Sequence, residues 1–336
     1  MGLSEFTRLI ALMVRLARGM EGSFSYPAVT RYQGHTAAHP PTVFDVYGHK
    51  RKKRSTWVLV HGFTVNGRKD HRLVRFSHLL AQSGVICVVP TLEGLASCRW
   101  EPGDLDALAR VIAAASNENQ GPVGLMGFSY GGSYCLLAAA RQGIKEYVHR
   151  VISFGAYHSI RTLFDEYTKI PDREPQHTCA GAWDAVIYCR LALLHGYGGE
   201  KFFPPGVQEQ IKAMLTRYCT NASLEEKKKF YHQYLREPDM AEIIRCAMKP
   251  DVVRELSPEG NISGLACPVT LIHQRNDPVI PQAHAEHLYK ELLLLANPER
   301  HRLIITSLLS HVSPSNIWHI RDAVRFSLAM APILQV

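Results

Sequence analysis

"VGLMGFSYGGS", residues 123–133, decides how the rest of the chain is read. It opens on an apolar run, as a strand buried on both faces would, and then places four glycines around one serine. Gly127-Phe128-Ser129-Tyr130-Gly131 has the form G-x-S-x-G. Small-residue clusters arise by chance, so the pentapeptide gains weight only from a strand before it, a helix after it and partners for the serine downstream. "YCLLAAA", directly after it, reads as the helix. Gly127 and Gly131 allow backbones to approach where a Cβ would collide. A sharp turn here sets the Ser129 hydroxyl at the carboxyl end of the strand and points the first amides of the helix toward it. A serine hydroxyl is a weak nucleophile near neutral pH, so it needs a base, and the base needs an orienting carboxylate.

Outward from that turn the chain alternates between two periods. "VFDVY" (43–47), "WVLV" (57–60), "VICVV" (85–89) and "VISF" (151–154) read as strands. Leu73, Phe76, Leu79 and Leu80 carry helical spacing, as do Leu105, Leu108, Val111 and Ile112, with Asp104 the expected cap of the latter. This rhythm predicts a parallel sheet covered on both faces. It stops at about residue 157. "AWDAVIYCRLALLHGYGG", "VQEQIKAMLTRYC" and "LEEKKKFYHQYL" are helical, aromatic and charged. It resumes with "PVTLI" (268–272), a helix from Gln282, the strand "RLIITSL" from Arg302 and a C-terminal helix. The expected organisation is an α/β core over 40–156 and 265–336, a helical insertion over 157–264 and an N-terminal amphipathic helix within 1–22.

Partners for the serine follow in order. "PVTLIHQRNDPVIP" puts Asp277 a few residues past one strand, and "LIITSLLSHVSP" puts His311 just past the next. With this set of motifs the chain from about residue 43 resembles the α/β-hydrolase superfamily. "HGFTVNGRKDHRLVRF" (61–76) and "GFSYGG" (127–132) are similar to poorly characterised bacterial members. The resemblance implies an α/β-hydrolase fold, with a mostly parallel sheet flanked by helices and a helical cap. It also implies a Ser129–Asp277–His311 triad and an oxyanion hole made by the backbone N–H groups of Tyr130 and Phe63. Losing one such donor typically costs about 2.7–4 kcal/mol of transition-state stabilisation. His158 and His273 are expected to be structural or to line a pocket.

Serine at the nucleophile position sets the chain apart from members of that superfamily that use a cysteine or a carboxylate. The expected reaction is hydrolysis of a carboxylic ester of small to medium acyl size through an acyl-enzyme, with no metal or organic cofactor implied. Tyr157, Trp183, Tyr188 and Phe202 are candidates for an apolar pocket, although at helical spacing such residues are more often core. Three alternatives stay open. Tyrosine directly after the serine is similar to dipeptidyl-peptidase-like members, which keeps a serine aminopeptidase or amidase in play. The others are a lipid ester hydrolase at a membrane surface and a ligand-binding protein on a hydrolase scaffold.

Composition bounds these readings. The 336 residues are 46% apolar and 20% charged, as in ordinary globular proteins. Of the net charge of +8, part sits in "KRKKR" (50–54), read as a solvated tip that discourages edge pairing, with contact to an anionic surface as the sharper reading. Zinc-finger spacing and a glycine-rich phosphate loop are both missing, so no nucleic-acid partner is expected. In "MGLSEFTRLIALMVRLARGM", Leu3, Phe6, Ile10, Met13 and Ala17 share one helical face. The apolar run 9–14 is too short to span a bilayer. This helix is expected on the body of the protein or on a second copy, with peripheral membrane contact the alternative. The eight cysteines form no C-x-x-C pair, which suits reduced thiols of a cytoplasmic protein.

Overall fold

The computed structural model describes residues 29–37, 39–49, 55–168, 180–198, 203, 206–218, 222–234, 240–310, 313–314 and 320–334. All seven strands expected from the sequence form, and they join one sheet with an eighth. In chain order the elements are β1 (Val29–His35), β2 (Val43–His49), β3 (Thr56–Val60), α1 (His71–Gln82), β4 (Ile86–Pro90), α2 (Glu93–Ala96), α3 (Gly103–Asn119), β5 (Val123–Phe128), α4 (Tyr130–Ala140) and β6 (Val148–Phe154). Helices α5 (Ile160–Thr168), α6 (Ala180–Tyr197), α7 (Val207–Arg217), α8 (Leu224–Tyr234), α9 (Met240–Ala247) and α10 (Pro250–Leu256) follow. The chain ends with β7 (Val269–Gln274), α11 (Gln282–Leu292), β8 (Arg302–Thr306), the short β9 (Leu309–Ser310) and β10 (Ser313–Pro314), and α12 (Ile320–Met330).

The strand order is β1-β2-β4-β3-β5-β6-β7-β8. β2 runs antiparallel to both β1 and β4, and every other neighbouring pair is parallel. Parallel pairs need crossovers, and crossovers put helices on both faces. β3 shows the consequence, because all five of its residues are buried. Val58 and Val60 enter one core, while Trp57 and Leu59 enter the other. The first core continues into the segment between β6 and β7: Ile187, Leu191 and Leu194 of α6, Ile211 and Leu215 of α7 and Ile244 of α9 pack in one cluster with Leu125 and Tyr134. These helices therefore share one hydrophobic core with that face of the sheet.

One local expectation is corrected. Asp104 does not cap its own helix. Its buried carboxylate reaches back to α2 and accepts the N–H groups of Gly94 (3.1 Å) and Leu95 (2.9 Å). Burial pushes this carboxyl up to about 6 despite those two bonds. Its folded-state value lies above the unfolded one. The stability Asp104 contributes is thus fully present below the ordinary value of 3.8 and is lost as pH rises through about 6. Urea titrations at pH 4 and pH 7.5 should show this loss, at most about 3 kcal/mol, diminished in Asp104→Asn. Equal pH dependence in the variant would contradict it.

The N-terminal helix expected within 1–22 and the basic run 50–54 lie outside the described residues. Among the described residues, no helix is long and apolar enough to cross a membrane. Cys87, Cys98, Cys135, Cys189, Cys246 and Cys267 are free thiols, all buried except Cys246.

Candidate active site

The site is built from backbone first. Ser129 takes φ 54° and ψ −125° between β5 and α4. A non-glycine residue with positive φ is uncommon, and its strain has to be held by the surroundings. Here its N–H donates 2.7 Å to the Phe154 carbonyl of β6, and its carbonyl accepts the Gly132 N–H at 2.8 Å. A Cβ on Gly127 would run into the Gly131 carbonyl, and one on Gly131 would run into the carbonyls of Val60 and His61. Strand, turn and the loop after β3 are therefore in direct backbone contact. Gly131→Ala should cost about 3 kcal/mol or more, since no side chain can move aside. Urea unfolding measures this, and a cost below about 1 kcal/mol would contradict the packing described.

The loop after β3 passes against the serine. A Cβ on Gly62 would lie 3.0 Å from Ser129 Cβ. Hydrogen bonds fix this loop from below. His61 Nε2 accepts the Leu92 N–H (3.2 Å), which leaves Nδ1–H to donate 2.7 Å to the Gly62 carbonyl. Burial lowers the His61 pKa, so the ring stays neutral in this role. Thr64 Oγ1 donates to Asp70 at 3.1 Å, and Arg72 donates to the same carboxylate at 2.9 and 3.0 Å. Burial alone would raise the Asp70 pKa, but the Arg72 charge and hydrogen bonds hold it well below the usual carboxylate range. Phe63 follows Gly62, its ring stacked on that of Tyr130 at 4.1 Å between centroids. Trp100 packs edge-on against both.

The carboxyl ends of the parallel strands are laced together. After the Ser129–Phe154 bond, Gly155 N–H donates to the Ile272 carbonyl of β7 (2.9 Å), and Arg275 N–H to the Thr306 carbonyl of β8 (2.8 Å). Asp277 lies in the turn after β7, 5% exposed. Its Oδ1 accepts the N–H groups of Val279 (2.8 Å) and Ile280 (3.0 Å), and Oδ2 lies 3.7 Å from His273 Nε2. His273 Nε2 donates to the Ile280 carbonyl at 2.7 Å, closing the turn. Asp277 therefore shapes its own turn and does not cap α11. β9 lies beside β7 and follows β8. His311 comes directly after β9 in sequence and lies outside the described residues.

Of the remaining expected residues, His158 is structural: its ring donates 2.7 Å to Glu291, and its N–H donates to His284 Nδ1. Tyr157 is wholly buried, with its hydroxyl on the Leu256 carbonyl, and belongs to the core. Tyr188 is half-buried, and its hydroxyl donates 2.8 Å to the Phe63 carbonyl. The Trp183 side chain and Phe202 lie outside the described residues. The sequence reading missed His61, Asp70 and Trp100. "HGF" carried a signal for the first, because a histidine beside a glycine that must approach the serine has few other roles. Among the described residues, no group of three or more His, Cys, Asp or Glu side chains is placed to hold a metal ion.

The model of the alpha/beta hydrolase family matches residues 57–303. Among curated proteins, none matches significantly. Solved structures with a similar fold include the acylaminoacyl peptidase of Pyrococcus horikoshii: 14% identity, TM-score 0.52, covering 91% of this chain and 41% of that one. The present chain thus spans about two fifths of that peptidase. An esterase of Pyrococcus furiosus is 11% identical with TM-score 0.52, covering 94% and 96% of the two chains. The proline iminopeptidase of Mycobacterium smegmatis is 12% identical with TM-score 0.52, covering 90% and 97%. At these identities the likeness is one of fold.

Proposed function

The chain belongs to the alpha/beta hydrolase family, and from that premise we propose that it is a serine hydrolase cleaving carboxylic esters of small to medium acyl size. Ser129 Oγ attacks the ester carbonyl carbon while His311 takes its proton. Asp277 keeps the imidazole in the correct tautomer and stabilises the imidazolium. The negative charge that develops on the carbonyl oxygen is received by the N–H groups of Phe63 and Tyr130. Among the described residues, nothing accepts from the Phe63 N–H, as that role requires. His311 then protonates the departing alcohol. Water, deprotonated by His311, attacks the acyl-enzyme and releases the acid. The helices between β6 and β7 are read as a cap over the acyl group.

The observation that carries this reading is Ser129 itself: a strained, buried serine between β5 and α4, with Gly62 pressed against it. Turnover of p-nitrophenyl esters from acetate to laurate, set against amino-acid p-nitroanilides, tests the substrate class. The expected result is ester turnover with an optimum at short or medium chains. Anilide turnover exceeding that of every ester would replace the esterase reading by a peptidase, and no turnover of either by folded protein would oppose both.

A further inference from the structure

The oxyanion-binding loop is held from two directions, and only one of them belongs to the sheet. His61 fixes the Gly62 carbonyl, which is the other end of the peptide whose N–H is Phe63. The next carbonyl, that of Phe63, is taken by Tyr188 from α6, a residue 125 positions away in sequence. The following residue of α6, Cys189, places its Sγ 4.0 Å from the Tyr130 hydroxyl. Two successive residues of one helix therefore touch both of the residues whose N–H groups receive the oxyanion, and those residues stack on each other. Farther along the same helix, the Gly196 carbonyl accepts from Arg99 (2.6 Å) and the Tyr197 hydroxyl accepts the Trp100 N–H (2.7 Å). On its other side, Tyr188 packs edge-on against Tyr218, whose ring carries the Lys227 ammonium at 4.1 Å.

We propose that Tyr188 is a positioning residue for the oxyanion-binding Gly62–Phe63 peptide, through its hydrogen bond to the Phe63 carbonyl. This rests on the serine hydrolase reading. With consecutive carbonyls pinned, one by His61 and one by Tyr188, the N–H between them has a fixed direction. An oxyanion donor acts only where charge appears in the transition state. Its misalignment costs rate and leaves ground-state binding nearly unchanged.

The test compares Tyr188→Phe with wild type on p-nitrophenyl acetate and on the matching thionoester, whose sulfur is a poor acceptor for the two N–H groups. The expected result is a kcat on the oxo ester lower by about tenfold, KM within about twofold, and an oxo-to-thiono rate ratio that falls by a similar factor. Tyr188→Met, which also removes the hydroxyl, should lower the ratio in the same direction, and it carries the test if Tyr188→Phe does not fold. Tyr231→Phe is the control: it removes another hydroxyl bonded to α6, the acceptor of Arg190 at 2.7 Å, without touching the loop. An unchanged ratio in folded Tyr188→Phe or, failing that, in folded Tyr188→Met overturns the proposal, and so does an equal fall in Tyr231→Phe. A wild-type protein that takes no fluorophosphonate on Ser129 overturns the hydrolase reading as well, so the two failures are told apart.

Discussion

Ser129→Ala should abolish ester turnover, lowering kcat by about 10⁶-fold, while leaving the protein folded. The two halves of that expectation have separate causes. The hydroxyl is the group that forms the acyl bond, so nothing nearby replaces it. Yet Ser129 makes no side-chain capping bond at the start of α4, so the helix loses no partner when the hydroxyl goes. The strained backbone is held by the Phe154 and Gly132 bonds, which alanine keeps. Stopped-flow rates on p-nitrophenyl acetate and a thermal melt check both halves. A variant with more than about 1% of wild-type turnover would place the nucleophile elsewhere.

Asp277→Asn has the next largest expected effect, a fall in kcat of about 10⁴-fold with KM little changed. An asparagine oxygen can still accept the Val279 and Ile280 N–H groups, so the turn after β7 should survive. The charge does not survive, and the amide N–H₂ presents a donor where the imidazole requires an acceptor. Steady-state kinetics over a pH series read this directly. Activity within about tenfold of wild type would mean that another carboxylate orients the base. Asp277→Ala, which also removes the turn's acceptor, should lose stability in addition to rate.

Much of this was legible in the sequence because strand ends are legible. An apolar run, a glycine turn and a helix located Ser129, and Asp277-Pro278 a few residues past an apolar run located the candidate acid. The strand β1 was not visible. Val29–His35 is an edge strand with every residue exposed or half-exposed, so it carries no apolar alternation to read. Only its pairing with β2 makes it a strand. Asp104 misled because a carboxylate near a helix start is usually a local cap, whereas its partners here are brought by a turn of the chain from Gly94 and Leu95. Tyr188 lies beyond any sequence pattern: helical spacing marks it as core or pocket, and its hydrogen bond spans 125 residues. The glycines worked in the other direction. Gly127 and Gly131 signalled backbone approaches that the packing around Ser129 bears out.

The central claim, a covalent intermediate on one serine, is tested most directly by mass spectrometry. Folded wild-type protein would be treated with a fluorophosphonate, digested and mapped. The account predicts a phosphonyl adduct on the peptide carrying Ser129, formed in step with loss of esterase activity and missing from Ser129→Ala. An adduct on a different residue that tracks the loss of activity, or full inhibition-free turnover with no adduct at all, would contradict it.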